Sequence, residues 1–264
     1  PKNDQLNNTN NSGLVFFQDN IKKLSKFKFK KIDNFNYFEP DLVSDGNSFA
    51  FFDDKSNLIK FNNDFRIIWK KNFYNKSQKK SKPILTLALS NKSLIVTDTI
   101  GKIYKVNFNT GDLIWEKMNS NPFNSELKIF DKKIYVVDMN NILRCFSMID
   151  GTELWKFNSE NTFLKSNKRS SLVIKGKTIY FNNSIGDIIA INANNGSLIW
   201  QTPTQSSDIY ENAFRLKMSD LVIANEDLIF SNNKNQFYSI SLLNGVLNWK
   251  QNINSSVRPV VVKN

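Results

Sequence analysis

Side chains that commonly do covalent or acid–base chemistry are scarce in this chain. It has one cysteine, Cys145, and no histidine, so a Ser-His-Asp triad and a histidine-held zinc are both excluded within it. A single thiol forms no internal disulfide, and Cys145, between Arg144 and Phe146, reads as a buried, inert thiol. The acids stand mostly beside turn residues: Asp53-Asp54 follow Phe51-Phe52, Asp112 follows Gly111 and Asp150 precedes Gly151. Turn service explains them without catalysis. A calcium site needs six or more converging oxygens, and no cluster in the sequence gathers them. Glycine-rich phosphate loops are absent. We therefore expect no catalytic, metal-binding or cofactor-binding residues, no cofactor and no enzyme.

Charge is the second candidate for chemistry. Thirty-six Lys and Arg against 24 Asp and Glu give a net charge of +12, a balance that can serve nucleic acid or an anionic membrane surface. The lysines, however, are spread through most turns. The densest run, Lys76 to Lys82, lies between Trp69 and the next apolar run and reads as a solvated loop. No aromatic platform for RNA is present, so no nucleic-acid partner is expected. No apolar run is long enough to cross a membrane as a helix, and no N-terminal lipidated cysteine or signal peptide is present; a membrane association would have to come through an anchor missing from this chain.

The elements that would position any site repeat along the chain. Gly186 to Trp200 has an apolar-alternating run with Ile189 and Ile191, a turn at Asn194-Asn195-Gly196, and a second run ending on Trp200; this is a β-hairpin pattern. Copies end at Trp115, Trp155 and Trp249, with Gly111, Gly151 and Gly245 each four residues before the tryptophan. A fainter copy ends at Trp69 with Phe65 where the glycine should be, so that turn is expected to be shaped differently. The tryptophans are separated by 46, 40, 45 and 49 residues, a period in the range of propeller blades. Two earlier strands belong to each period. The second strands are read at Ser48–Phe52, Ser93–Val96, Lys133–Val137, Thr178–Phe181 and Leu228–Phe230, and the first strands at Ile84–Ala88, Leu127–Phe130, Leu172–Ile174 and Leu221–Ala224. Four short strands per repeat make one blade. The fold class is thus all-β, a β-propeller of four-stranded antiparallel blades. Residues 1–31 form a polar N-terminal segment with strand-like pieces. Residues 32–264 hold five Trp-closed blades and the start of a sixth at Arg258–Val262, as expected for an incomplete ring of an eight-bladed parent. The alternative is a six-bladed ring in which residues 14–31 finish the last blade.

Ala190-x-Asn192-x-x-Asn195-Gly196-x-x-x-Trp200 resembles the tryptophan-docking motif of the pyrroloquinoline-quinone-type (PQQ-like) propeller repeat family, and Val106-Asn107 through Thr110-Gly111-x-x-x-Trp115 is a close variant. The resemblance covers roughly Ser48 to Trp249. It implies that Trp69, Trp115, Trp155, Trp200 and Trp249 dock between neighbouring blades, with Gly111, Gly151, Gly196 and Gly245 in the turns that receive them. It also raises a quinone-dependent dehydrogenase, but the adjacent cysteines frequent in those enzymes are missing. The cofactor-free branch that the chain most resembles is that of periplasmic lipoproteins. These assist outer-membrane β-barrel assembly by holding the central assembly protein.

That branch implies a non-catalytic, outer-membrane-associated periplasmic scaffold with a protein partner. Its Leu/Arg-bearing partner loop is echoed at Phe163 to Ser171, where Phe163, Leu164, Lys165 and Arg169 supply apolar and cationic contacts. Its next loop offers acidic contacts, whereas Leu216-Lys217-Met218 stands at the comparable place here. The long segment Gln201 to Met218 carries Tyr210, Phe214 and Arg215, residue types enriched at binding hot spots. The alternatives are a quinone-binding propeller and a propeller sensor domain of a larger protein.

Overall fold

The computed structural model describes residues 8–11, 41–160, 169–204, 218–232, 236–253 and 255–261. The described chain forms five four-stranded antiparallel sheets, each a meander whose strands pair in sequence order. Two compact units divide them. Unit 1, mainly residues 15–123, holds β1 (Val43–Ser44), β2 (Ser48–Phe52), β3 (Leu58–Asn62) and β4 (Ile67–Lys71), then β5 (Leu85–Ser90), β6 (Ser93–Asp98), β7 (Lys102–Asn107) and β8 (Leu113–Met118). Unit 2, residues 3–14 and 124–264, holds three sheets. The first has β9 (Lys128–Phe130), β10 (Lys133–Val137), β11 (Ile142–Ser147) and β12 (Glu153–Asn158); the second β13 (Leu172–Lys175), β14 (Thr178–Asn182), β15 (Ile188–Asn192) and β16 (Leu198–Thr202); the third β17 (Val222–Ala224), β18 (Asp227–Asn232), β19 (Gln236–Ser241) and β20 (Leu247–Gln251).

Burial explains the sequence pattern. Strands such as β6 and β15 are covered on both faces, so Leu94, Ile95 and Val96, or Ile188 to Ile191, read as unbroken apolar runs with no exposed alternate. The fourth strands alternate poorly for the opposite reason: in β4 every residue but Trp69 is exposed. One device recurs in all five sheets. The third and fourth strands lose register by one residue next to the tryptophan, at Lys60/Phe61, Lys105/Val106, Cys145/Phe146, Ala190/Ile191 and Ser239/Ile240. A bulge bends the strand and re-aims the side chain beside it, and here that side chain is always Trp.

Within each unit the tryptophan of one sheet meets the turn of the next. Trp69 is buried, its indole donates to Phe108 O at 3.1 Å, and a Cβ on Gly111 would lie 2.8 Å from its ring. Trp200 donates to Leu242 O at 3.0 Å and closes on Gly245 in the same way. Trp155 covers Gly196, but its buried Nε1 finds no acceptor among the described residues. The carbonyl at the corresponding place, Ala193 O, takes only the Tyr135 hydroxyl, at 3.2 Å, whereas Leu242 O accepts from both the Tyr180 hydroxyl and Trp200. Trp115 is half-buried. Trp249 is 40% exposed and leans on Phe237 with ring centroids 5.8 Å apart.

Four local readings are amended. The first repeat has a first strand, β1, that the sequence pattern did not mark. Residues 76–80 of the lysine-rich loop form a short helix with no buried residue, α1, whose N-cap Asn75 and Gln78 bond reciprocally. Phe65 adopts φ +60°, in the same left-handed region as Gly111, Gly151, Gly196 and Gly245. Its turn is one residue shorter: Asn62 N bonds Arg66 O, where Asn107 N reaches Asp112 O. Residues 255–261 form no strand. There the chain is held by Arg258 rather than by sheet pairing.

Two outcomes follow. Gly196→Ala carries both left-handed strain of about 1–2 kcal/mol and a methyl that would sit 2.6 Å from the Trp155 ring, worth about 1–3 kcal/mol of overpacking. Gly176→Ala, at φ +59° with nothing within 4 Å, carries the strain alone. Denaturant titration should show Gly196→Ala to be the more damaging, and equal losses would refute the contact. Trp155→Phe should be milder than Trp200→Phe by about 1–3 kcal/mol, because it removes a buried unbonded donor rather than a bonded one. The reverse order of melting temperatures would contradict the hydrogen-bond assignment.

Candidate partner-binding site

The first strands of unit 2 are preceded by equivalent pairs of polar residues: Ser125-Glu126 before β9, Ser170-Ser171 before β13 and Ser219-Asp220 before β17. Their chemistry follows from being sheet edges that must satisfy backbone groups without another strand. Ser125 Oγ accepts from Val137 N at 2.7 Å and Ser219 Oγ from Ser231 N at 2.9 Å, which tethers the strand start to its own sheet. The second residue of each pair reaches beyond its own sheet. Glu126 Oε2 accepts from Leu172 N at 3.1 Å, and Ser171 Oγ accepts from Leu221 N at 2.9 Å. Asp220 Oδ2 takes the Arg258 guanidinium at 2.8–2.9 Å in the third instance.

Glu126 is the centre of this array. Its carboxylate also accepts from Asn10 Nδ2 at 2.8 Å and Ser171 Oγ at 3.1 Å, pairs with Arg258 Nη2 at 2.7 Å, and lies 3.8 Å from Lys128 Nζ. Burial alone would push its carboxyl upward. The surrounding Lys128, Arg258 and Arg169 charges, with the Asn10 hydrogen bond, outweigh burial and hold it down to about 2. Lys128, equally buried, is lowered by desolvation, against which Glu126 works. Three cations thus face two carboxylates, and a carboxylate ionised across the neutral range is a poor proton donor.

The other ionisable groups are similarly committed. Asp53, Asp98 and Asp138 each cap the turn between second and third strands by accepting two backbone N–H groups. Desolvation raises Asp98 despite the Tyr74 hydroxyl 2.7 Å away, and burial pushes the Cys145 thiol up to about 12, where it is no nucleophile at neutral pH. No group of three or more His, Cys, Asp or Glu suited to a metal occurs among the described residues. The turn carboxylates are engaged by their own backbone and by partners such as Lys70 and Arg144, so they do not fit a quinone's calcium cradle.

Of the residues singled out from sequence, Arg169 is half-buried and acts on Glu126, Lys128 and Arg258 through its charge. Phe163, Leu164, Lys165, Tyr210, Phe214 and Arg215 lie outside the described residues. Glu126, Lys128, Arg258 and Asn10 escaped the sequence reading. The available signal was a charged residue inside an otherwise apolar first strand, Leu127-Lys128-Ile129-Phe130.

Repeated four-stranded meanders, three of them locked by an indole on the next turn's glycine, are the architecture of PQQ-like β-propeller blades. More narrowly, the chain belongs to the family described as outer membrane protein assembly factor BamB, whose model matches residues 54–264. Among solved structures it resembles BamB from Moraxella catarrhalis, at 14% identity and a TM-score of 0.60 over 80% of this chain and 60% of that one. The quinohemoprotein alcohol dehydrogenase of Comamonas testosteroni aligns at 12% identity and TM-score 0.66, over 81% of this chain and 42% of that one. The computationally designed Ika8 protein aligns at 9% and 0.64, over 81% and 61%. These likenesses define the fold alone, and the chain spans about 60% of the length of the solved BamB. No curated protein sequence matches.

The acid-side stability of unit 2 should depend on Glu126. A carboxyl at about 2 when folded, against an ordinary 4.5, contributes stability that is complete above pH 4.5 and lost as pH falls toward 2. The amount is on the order of 3 kcal/mol. Glu126→Gln should flatten urea stability between pH 4.5 and 2.5 while lowering it at pH 7. An unchanged slope would contradict the ion-pair geometry.

Proposed function

We propose that the protein is a non-catalytic periplasmic scaffold, associated with the outer membrane, that binds the central β-barrel assembly protein during outer-membrane protein assembly. The observation that carries this reading is the family match over residues 54–264. The committed state of Asp53, Asp98, Asp138 and Glu126 supports it, because each serves backbone or ion-pair geometry. The segments at 163–169 and 210–215 supply the partner contacts, Leu164, Tyr210 and Phe214 as apolar anchors and Lys165 and Arg215 as cationic ones. A quinone-binding role is the second reading, favoured by the fold likeness to the Comamonas testosteroni dehydrogenase.

Co-precipitation with the periplasmic domains of the assembly protein tests the first reading. Leu164→Asp combined with Phe214→Ala should weaken capture at least about tenfold, as loss of hot-spot anchors does. Wild-type capture by that variant would remove these loops from the interface. Arg169→Glu is a poor probe, since it would set a carboxylate beside Glu126. Titration with pyrroloquinoline quinone and calcium should leave the near-ultraviolet spectrum additive, and a saturable change would favour the second reading.

A further inference from the structure

Residues 8–11, Asn-Thr-Asn-Asn, lie against the first strands of unit 2 although they precede them by more than a hundred residues. Asn8 and Asn10 are each only 5% exposed. Asn8 Nδ2 donates to Ile129 O in β9 at 3.2 Å, and Asn11 Nδ2 to Ile223 O in β17 at 3.2 Å. Between them, Asn10 Nδ2 donates to Glu126 Oε2 at 2.8 Å and Leu221 O at 3.0 Å, with Ser171 Oγ at 3.4 Å, while Asn10 Oδ1 accepts from Lys128 Nζ at 2.6 Å. Four residues thus touch all three sheets of the unit, at strands that are the edges of those sheets.

The chemistry at Asn10 is selective. A carboxylate faces the NH₂ end of the amide and an ammonium faces its C=O end, so one group must be donor and acceptor at once. Aspartate would lose the donor and repel Glu126. An aliphatic residue would remove one donor to Glu126 and the Asn10 acceptor of Lys128 together, and glutamine is one methylene too long for the same backbone position. The flanking contacts run from side-chain amides to edge carbonyls, and the segment that makes them is a short helical turn that closes at Asn10 with φ +56°.

We propose that the first-strand edges of unit 2 form a recognition site for a short Asn-x-Asn-Asn turn, read through the Glu126–Lys128 pair, and that residues 8–11 are its tethered occupant. Tethering gives the occupant an effective concentration on the order of millimolar. A partner segment of the same chemistry therefore enters only when residues 8–11 leave.

The test uses the full chain and a fluorescent peptide with the sequence of residues 5–14, followed by anisotropy. The wild-type chain should bind it weakly. Asn10→Asp, which expels the segment and leaves the site intact, should bind it at least about tenfold tighter. A peptide with Asp at the position of Asn10 should bind neither. The doubly substituted Asn8→Ala, Asn11→Ala chain, which adds no charge, should show the same gain and covers the case in which Asn10→Asp does not fold. Equal affinity for wild-type and variant chains, no binding to the folded variants, or undiminished binding of the Asp peptide would each overturn the proposal.

Discussion

An indole ring lying flat on a glycine of the following blade is the contact from which the rest of each unit is arranged. Trp69 on Gly111, Trp155 on Gly196 and Trp200 on Gly245 come so close that any Cβ would fall within 2.8 Å of the ring. A separation of that order is reached only if the receiving turn carries no side chain and the donating strand aims its tryptophan squarely. The first condition selects glycine, which also accepts the positive φ of these turns. The second selects the bulge that precedes every tryptophan. Residue type, backbone conformation and strand irregularity are therefore one constraint seen three times. It recurs three times within the two units, and the β13–β16 sheet both gives the contact, through Trp200, and receives it, on Gly196.

This locality made much of the fold readable from the chain alone. Second strands such as Ser48–Phe52 and Lys133–Val137 coincide with their residue ranges in the structure, since a doubly covered strand writes itself as a short apolar run bounded by turns. First strands came within one or two residues. β1 did not register, because two residues, Val43 and Ser44, are too few to show a pattern. Phe65 shows a subtler limit. Its absent glycine correctly signalled a different turn, yet the backbone still enters the left-handed region, with the phenyl ring set edge-on to Phe49 at 5.4 Å. Ring contact there offsets a conformation that phenylalanine rarely adopts.

The polar array around Glu126 was illegible for a different reason. Asn10, Glu126, Ser171, Leu221 and Arg258 are separated by tens to more than a hundred residues, and no local spacing announces that they converge. What the sequence did hold was the equivalence of Glu126, Ser171 and Asp220, each two residues before the position that begins or adjoins the first strand's buried register. The same structural post is filled by a carboxylate, a hydroxyl and a carboxylate, and each takes a donor from beyond its own sheet. Substituting serine for an acid at such a post preserves the hydrogen bond and changes the charge. The acid at Glu126 therefore answers to its cations, Lys128 and Arg258, as much as to the backbone it bonds.

Sheets that end in solvent invite further strands, and the two borders of these blades meet that hazard by separate means. On the fourth strands, exposed apolar pairs such as Ile67-Ile68, Leu113-Ile114 and Leu198-Ile199 are left by the bulge that turns the tryptophan inward. They are followed by Lys70-Lys71, Glu116-Lys117 and Gln201, so the edge carries charge or amide just past its apolar step. The bulge itself interrupts the register that another strand would need. The first strands cannot use charge so freely, because they are buried. There the border is closed by side chains that imitate a strand: Glu126 and Ser171 take N–H groups, and Asn8, Asn10 and Asn11 supply donors to carbonyls. A border completed by side-chain amides instead of a full ladder is reversible in a way that a paired strand is not, since each bond can be exchanged for an equivalent one from another segment. The first-strand border of unit 2 is thus completed by side chains, while the fourth-strand border is interrupted by its bulge.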